Sequence, residues 1–309
     1  MIIIKKTVQK EIFMPTEKTK TTRIILFCAG RIPLIIRKFF FQSLFTLFYH
    51  MAAKHRLIAL HNLRHAFPEK NMKELIKIAK GVYRNIAITA AEFFSMPSIT
   101  RENLHEWVEL EGLEHYEEGI AQGKGLLSIA AHFGNWELMV VTTPLFLKPL
   151  HVIYRPLDSP FLENMTKYVR TISGNVMIPK GGTGKRIREL LGQNEFIGIM
   201  SDQNVSAREG VFVDFFGRQA CTGVGLAALA LRSGAPVLPG FMARQKSGKY
   251  KLILKPLVEI SRTGDYEADL RENTQRFTKV VEEIVREYPD QWFWIHQRWK
   301  TKTCQIRMD

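Results

Sequence analysis

Residues 125–138, GLLSIAAHFGNWEL, set a histidine and a glutamate five positions apart directly behind an apolar run. The run at 125–130 is short and bounded by glycine, the pattern of a buried strand rather than a helix. In an α-helix a separation of five turns the second side chain about 140° away from the first, since each residue advances roughly 100°. His132 and Glu137 therefore cannot share one helical face as the ligands of a HExxH zinc site do. The spacing works if His132 stands on the turn leaving a strand and Glu137 lies in the first turn of the helix that follows. Gly134 supplies the tight bend, and Asn135 is placed to cap the helix. In that arrangement Glu137 is expected to accept from one imidazole nitrogen and leave the other free as a base. The helix N-terminus would offer N–H groups to a developing oxyanion. A core histidine beside a capped helix is the plainer account of the same residues.

Working outward, the same texture repeats. Strands are expected at 125–130, 151–154, 176–178, 196–200, 211–215, 237–242 and 250–260, and helices at 136–142, 160–173, 184–192, 222–233 and 269–288. That alternation predicts an α/β fold with a mixed, partly parallel central sheet flanked by helices. Residues 23–98 read instead as helices, ending near Pro97. The expected organisation is a polar lead at 1–22, a basic membrane-associated helical region at 23–98, and an α/β domain at 99–309.

The chain has 309 residues, 46% hydrophobic and 24% charged, with a formal net charge of +14. Such a composition folds, and such a charge predicts an anionic partner. Cys28, Cys221 and Cys304 have neither metal-ligand spacing nor a disulfide framework, which fits a reducing compartment. Residues 18–68 hold Lys18, Lys20, Arg23, Arg31, Arg37, Lys38, Lys54, Arg56 and Arg64, and no acidic residue. Among them lies FFFQSLFTLFYHMAA (39–53), with Ser43, Thr46 and His50 on a polar stripe that continues to Lys54. Basic residues on one side and Phe and Leu on the other describe a helix lying in a membrane interface. The uncharged run is shorter than the roughly 20 residues a span requires. A tilted span starting near Ile24, or a buried helix with its charges in solvent, are the other readings. The segment follows a polar leader and no small-residue cleavage site comes after it, unlike a signal peptide. Phe-rich runs would be wasted on a phosphate backbone, so no nucleic-acid partner is expected.

HFGNWE behind GLLSIAA resembles the HX4D/E motif of glycerolipid-type acyltransferases, and more closely the late acyltransferases of lipid A biosynthesis. The likeness continues in HNLRHAFPEK (61–70), YRPLDSP (154–160), GIMSDQN (198–204), the long segment from VDFFGR to LPGF (213–241) and YPDQWFWIHQRWK (288–300). In YRPLDSP the family often has Asn before the second Pro, where this chain has Ser159. The resemblance implies a glycerolipid-acyltransferase-like fold and acyl transfer from a thioester, on acyl carrier protein or coenzyme A, to a hydroxyl of a phosphorylated glycolipid. It also implies a place on the cytoplasmic face of a bacterial inner membrane, against anionic lipid. His132 would be the general base and Glu137 its orienting carboxylate. By similarity Arg170 and Asp202 form a supporting pair and Arg155 binds a phosphate or the donor's pantetheine, while Arg218 faces the site. An ordinary surface ion pair is the alternative for Arg155, Arg170 and Asp202, and packing explains Phe215 and Phe216 beside Arg218 equally well. The thioester is a co-substrate already activated, so no cofactor and no metal are expected, and no GxSxG elbow is present. PKGGTGKR (179–186) fails the Walker pattern at Pro179 and Arg186. It is read as a basic loop for a headgroup phosphate or as simple punctuation. Trp292, Trp294 and Trp299 are read as core packing, with an interface belt as the other option. Another acceptor (a lysophospholipid or a mannosylated lipid), a non-catalytic basic membrane-binding protein, and a hydrolase are the competing functions.

Overall fold

The computed structural model describes residues 17–302. Residues 1–16, most of the expected polar lead, and Cys304 lie outside the described residues. Residues 17–22 form the opening turns of the first helix. Four helices come first: α1 (Glu17–Arg31), α2 (Leu34–Met51), α3 (Ala53–Ala66) and α4 (Met72–Phe93). Pro33 separates α1 from α2, as a residue without an N–H must at a helix start. Asn71 opens α4 with a capping box: its side chain accepts from the Glu74 amide at 3.1 Å, and Glu74 accepts from the Asn71 amide at 2.8 Å.

The second helix is inside out. Arg37 is buried and donates to the Ala91 carbonyl at 2.8 Å and to the Ser95 hydroxyl at 2.6 Å. Lys38 reaches the buried Glu92 at 3.0 Å. The outward face carries Ile35 and Phe39, 74% and 75% exposed, with Ile36, Phe40, Leu47 and Met51 beside them. The sequence reading sets basic residues on one side and Phe and Leu on the other; in the structure Arg37 and Lys38 turn inward, onto α4. The last carbonyls of α4 and the Glu92 carboxylate need donors, and these two cations supply them. Among the described residues no helix is long and apolar enough to cross a membrane.

After a short 3-10 turn at Met96–Ser98 the α/β part begins. Its strands are β1 (Val108–Glu111), β2 (Leu126–Ala130), β3 (Leu150–Tyr154), β4 (Val176–Pro179), β5 (Phe196–Met200), β6 (Gly210–Phe215), β7 (Arg218–Gly223), β8 (Val237–Arg244) and β9 (Tyr250–Leu254). The helices between and after them are α5 (Leu113–Ala121), α6 (Trp136–Phe146), α7 (Pro160–Thr171), α8 (Gly184–Gly192), α9 (Gly225–Ser233) and α10 (Tyr266–Glu287). Seven strands form one sheet in the order β1-β9-β8-β2-β5-β3-β4, and β6 pairs with β7 in a separate ribbon. β8, β2, β5, β3 and β4 run parallel, whereas β9 is antiparallel to β8 and carries β1 alongside it. The mixed, mostly parallel α/β sheet agrees with the sequence reading.

Three elements escape that reading. β1 is the four-residue VELE at a sheet edge, and α5 follows it at once. β7 occupies Arg218–Gly223, so α9 begins at Gly225 rather than at 222. Phe216 and Gly217 both have positive φ and close the β6–β7 hairpin. The core lies on both faces of the sheet. β2, buried at every residue, runs through its centre.

Candidate active site

Because β2 and β5 are parallel neighbours, their C-terminal ends open on the same edge of the sheet, where α/β folds gather their sites. Ala130 of β2 lies opposite Met200 of β5. Two residues beyond each partner stand His132 and Asp202. His132 Nδ1 is 2.9 Å from Asp202 Oδ1, and the His132 amide donates to Asp202 Oδ2 at 2.9 Å. Trp292 Nε1 donates to that same oxygen at 2.9 Å. The carboxylate is buried and the imidazole about a quarter exposed.

Burial raises the Asp202 carboxyl, but the His132 charge and its hydrogen bonds, with that of Trp292, outweigh this and hold it at about 2. An ionised carboxylate only accepts hydrogen bonds, so Nδ1 carries the ring proton and Nε2 keeps its lone pair. Burial also works against the charged imidazole, yet Asp202 outweighs it and lifts His132 above its ordinary 6.5.

Glu137 does not hydrogen-bond to His132. Arg170 of α7 takes it in a two-pronged clamp, Nε to Oε2 at 2.8 Å and Nη2 to Oε1 at 2.6 Å, and Trp136 Nε1 adds a bond at 3.0 Å. The expected His132–Glu137 hydrogen bond and the expected Arg170–Asp202 pair are both corrected: the carboxylates have exchanged partners. The reason is that Glu137 faces α7 across the α6–α7 contact, while Asp202 is delivered by the neighbouring strand. Glu137 still acts on the imidazole by charge, favouring its protonated form.

Arg155 follows β3, two strands from β2 and so about 10 Å across the sheet. Its side chain is exposed and pairs with Asp158 at 3.5 Å. Arg218 has its guanidinium 5.9 Å from the Trp299 ring and acts by charge on His65. In YRPLDSP the built contacts belong to other residues. Tyr154 donates to Glu163 at 2.8 Å, which pushes its hydroxyl up to about 12 together with burial, the larger cause. Ser159, where the family often has Asn, accepts from the Leu162 amide at the start of α7. Lys180 of the PKGGTGKR loop pairs with Glu209 at 2.8 Å. Trp292, Trp294 and Trp299 are buried, which agrees with core packing, and Trp292 also serves Asp202.

The turn carrying His132 is held by hydrogen bonds at Gly134 and Asn135. Gly134 has φ +57°, and a Cβ there would stand 1.6 Å from the Met242 carbonyl oxygen. Its amide donates to the Gln291 carbonyl at 2.8 Å, and its carbonyl accepts from Asn85 at 2.8 Å. Asn135 caps α6 by accepting from the Leu138 amide at 3.0 Å, while its NH₂ donates to Glu92 at 3.0 Å. Glu92, which sequence reading missed, also accepts from Tyr250 at 2.5 Å, from Arg244 at 3.1 and 3.2 Å, and from Lys38. Burial pushes this carboxyl up, but Arg244, Tyr250 and Lys38 together bring it below its ordinary value. His296 accepts from the Asn204 amide at 2.9 Å and is pushed down to about 4, chiefly by burial. Asn62 of HNLRHAFPEK secures the closing segment by donating to the Trp294 and His296 carbonyls at 2.9 and 2.8 Å. Among the described residues no group of three or more His, Cys, Asp or Glu could hold a metal ion.

A histidine with Nδ1–H fixed on a buried carboxylate and, among the described residues, no partner at Nε2, at the open edge of a parallel sheet, defines a site able to take a proton from a substrate. The chain belongs to the bacterial lipid A biosynthesis acyltransferase family, whose model matches residues 7–301. It is 29% identical over 243 residues to the lipid A biosynthesis lauroyltransferase of Escherichia coli (strain K12), covering 78% of each chain. It is 26% identical over 247 residues to the palmitoleoyltransferase of the same organism, 79% of this chain and 78% of that one. The phosphatidylinositol mannoside acyltransferase of Mycobacterium tuberculosis (strain H37Rv) is 25% identical over 228 residues, 70% of this chain and 68% of its own.

Proposed function

We propose that this acyltransferase moves a fatty acyl group from an acyl thioester, on acyl carrier protein or coenzyme A, to a hydroxyl of a phosphorylated glycolipid of the lipid A precursor class. The observation that carries the reading is His132 on Asp202, with no partner for Nε2 among the described residues. A hydroxyl is a poor nucleophile until it loses its proton, and a neutral imidazole suits that task. Nε2 takes the proton as the oxygen attacks the thioester carbonyl, giving a tetrahedral oxyanion. Its collapse breaks the C–S bond, and the departing thiolate takes the proton back from the imidazolium. No acyl-enzyme and no cofactor enter. Asp202, in place of Glu137, steadies the ring. Glu137 and Arg170 shape the first turn of α6, whose amides face the developing charge in this reading. Arg155, exposed at the same sheet edge, is assigned to an anionic group of the donor.

The place of reaction is proposed to be the cytoplasmic face of a bacterial inner membrane. Support comes from the exposed apolar face of α1–α3, with Arg23, Arg31, Lys54 and Arg64 exposed around it. A mannosylated acceptor is the second reading, favoured by the mannoside acyltransferase relatives. Mass spectrometry of lipids from a deletion strain separates the two: loss of one acyl unit from a lipid A precursor is expected. An unchanged lipid A with an altered mannolipid would favour the other acceptor, and free fatty acid formed without any acceptor would mark a hydrolase.

The pair also sets a pH dependence. His132 must be neutral to act, and its folded value lies above 6.5. The kcat/KM profile should therefore lose activity as pH falls through a value above 6.5. In Asp202→Asn burial is opposed only by the charge of Glu137, so the acid limb should move to lower pH while the maximum rate drops. An acid limb in the same place in both proteins would sink this assignment.

A further inference from the structure

A cavity of about 770 Å³ lies between α1, the end of α4 and α7, away from His132. That volume is in the range of ligand pockets. Tyr168 and Phe94 line it, each two residues from Arg170 and Glu92, which hold the catalytic turn. Two residues are roughly 200° of helix, so the cavity and the turn lie on opposite sides of α7 and, as α4 ends, of that helix as well. One wall is a stripe of α1 at i, i+3, i+4, i+7 and i+11: Lys20, Arg23, Ile24, Phe27 and Arg31. Among the described residues none of its three cations has a carboxylate partner, and no acidic residue lines the cavity. Arg31 lies over the Phe27 ring at 4.6 Å. Ile24 and Phe27 line the cavity and remain 62% exposed each. Its mouth is therefore partly apolar, and α2 exposes further apolar side chains in Ile35 and Phe39.

We propose that this cleft is a binding site, separate from the transfer site, for a membrane lipid with a phosphate headgroup. Lys20, Arg23 and Arg31 hold the phosphate, and Ile24, Phe27 and Phe94 take the first part of an acyl chain. Three cations without a carboxylate partner among the described residues suit a phosphate that is already anionic. An exposed apolar mouth suits a ligand arriving from a bilayer rather than from water. The inference rests on the membrane reading above and adds where the anionic lipid sits.

The test is sedimentation of the full chain with vesicles of phosphatidylcholine alone and of equimolar phosphatidylcholine and phosphatidylglycerol. Wild type is expected to prefer the second. Arg23→Gln with Arg31→Gln should reduce that preference by more than about tenfold, whereas Lys73→Gln with Lys77→Gln, an equal charge change on exposed positions of α4, should cost less than about threefold. Circular dichroism and the thermal midpoint check that both double variants are folded. Equal losses in the two variants would reduce the effect to the general field of a basic protein and overturn the site. So would an unchanged preference in the Arg23/Arg31 variant. Inorganic phosphate that binds as tightly as the vesicle lipid, so that the acyl chain adds nothing, would mean a free-anion site and also overturn it. Wild type that binds neither vesicle sinks the membrane reading itself, a result distinct from the other three.

Discussion

Alanine at His132 is expected to cut acyl transfer by about 10²–10⁴-fold, the range that general acid–base groups supply, with the fold retained. Among the described residues the imidazole offers the site a basic nitrogen without a partner, directed by a carboxylate. Its loss removes the base without removing the thioester's own reactivity, so a residual rate should persist. The protein should tolerate the change because Asp202 keeps two of its three donors, the residue 132 amide and Trp292 Nε1. A buried carboxylate still bonded twice loses far less than an orphaned one. The check is transfer to a fixed acceptor under single-turnover conditions, with the thermal midpoint measured alongside. A rate within tenfold of wild type would end the assignment of His132 as base, and a collapse of the midpoint would mean that the imidazole is chiefly structural.

The contrast between His132 and its carboxylates shows what a sequence can disclose. The turn at 131–137 was legible because everything it needs is local: an apolar strand, a glycine for φ +57°, and an asparagine to cap the Leu138 amide. The orienting acid was not legible, although Asp202 was singled out. Asp202 reaches His132 only because β5 lies beside β2, with Ala130 opposite Met200, and strand order is not written in any local pattern. Given that one adjacency, equal offsets of two residues past the paired positions would have named the dyad. Glu137, five residues away, was the local candidate, and Arg170 on another helix took it instead. The same limit applies to α2. Its apolar periodicity shows a two-faced helix, but which face turns inward depends on Glu92 and Ala91, more than fifty residues later. Hydrophobic patterning assumes that charges face water, and here a buried carboxylate reverses the rule.

That buried carboxylate gives the second large effect. Glu92→Leu should destabilise the fold by about 3–5 kcal/mol, the cost of breaking a buried ion pair from one side. The change leaves Arg244 and Lys38 without their counter-charge, and leaves the Tyr250 hydroxyl and the Asn135 NH₂ without their shared acceptor. For a chain of this size the loss corresponds to a fall in thermal midpoint on the order of 10 °C. Stability alone does not capture what Glu92 does, because Asn135 is also the cap of α6 and belongs to the turn that presents His132. A triple variant with Lys38→Met and Arg244→Met separates the two roles. Replacing a whole buried ionic cluster by apolar groups is often close to neutral, so the midpoint should recover much of its loss. Acyl transfer should not recover with it, since Asn135 still lacks the carboxylate that fixes its orientation. Recovery of both would make Glu92 an element of packing only. Recovery of stability with transfer still depressed, at an unchanged acid limb in the pH profile, is the expected result, because Asp202 continues to set the basicity of His132 while the turn beneath it is no longer held.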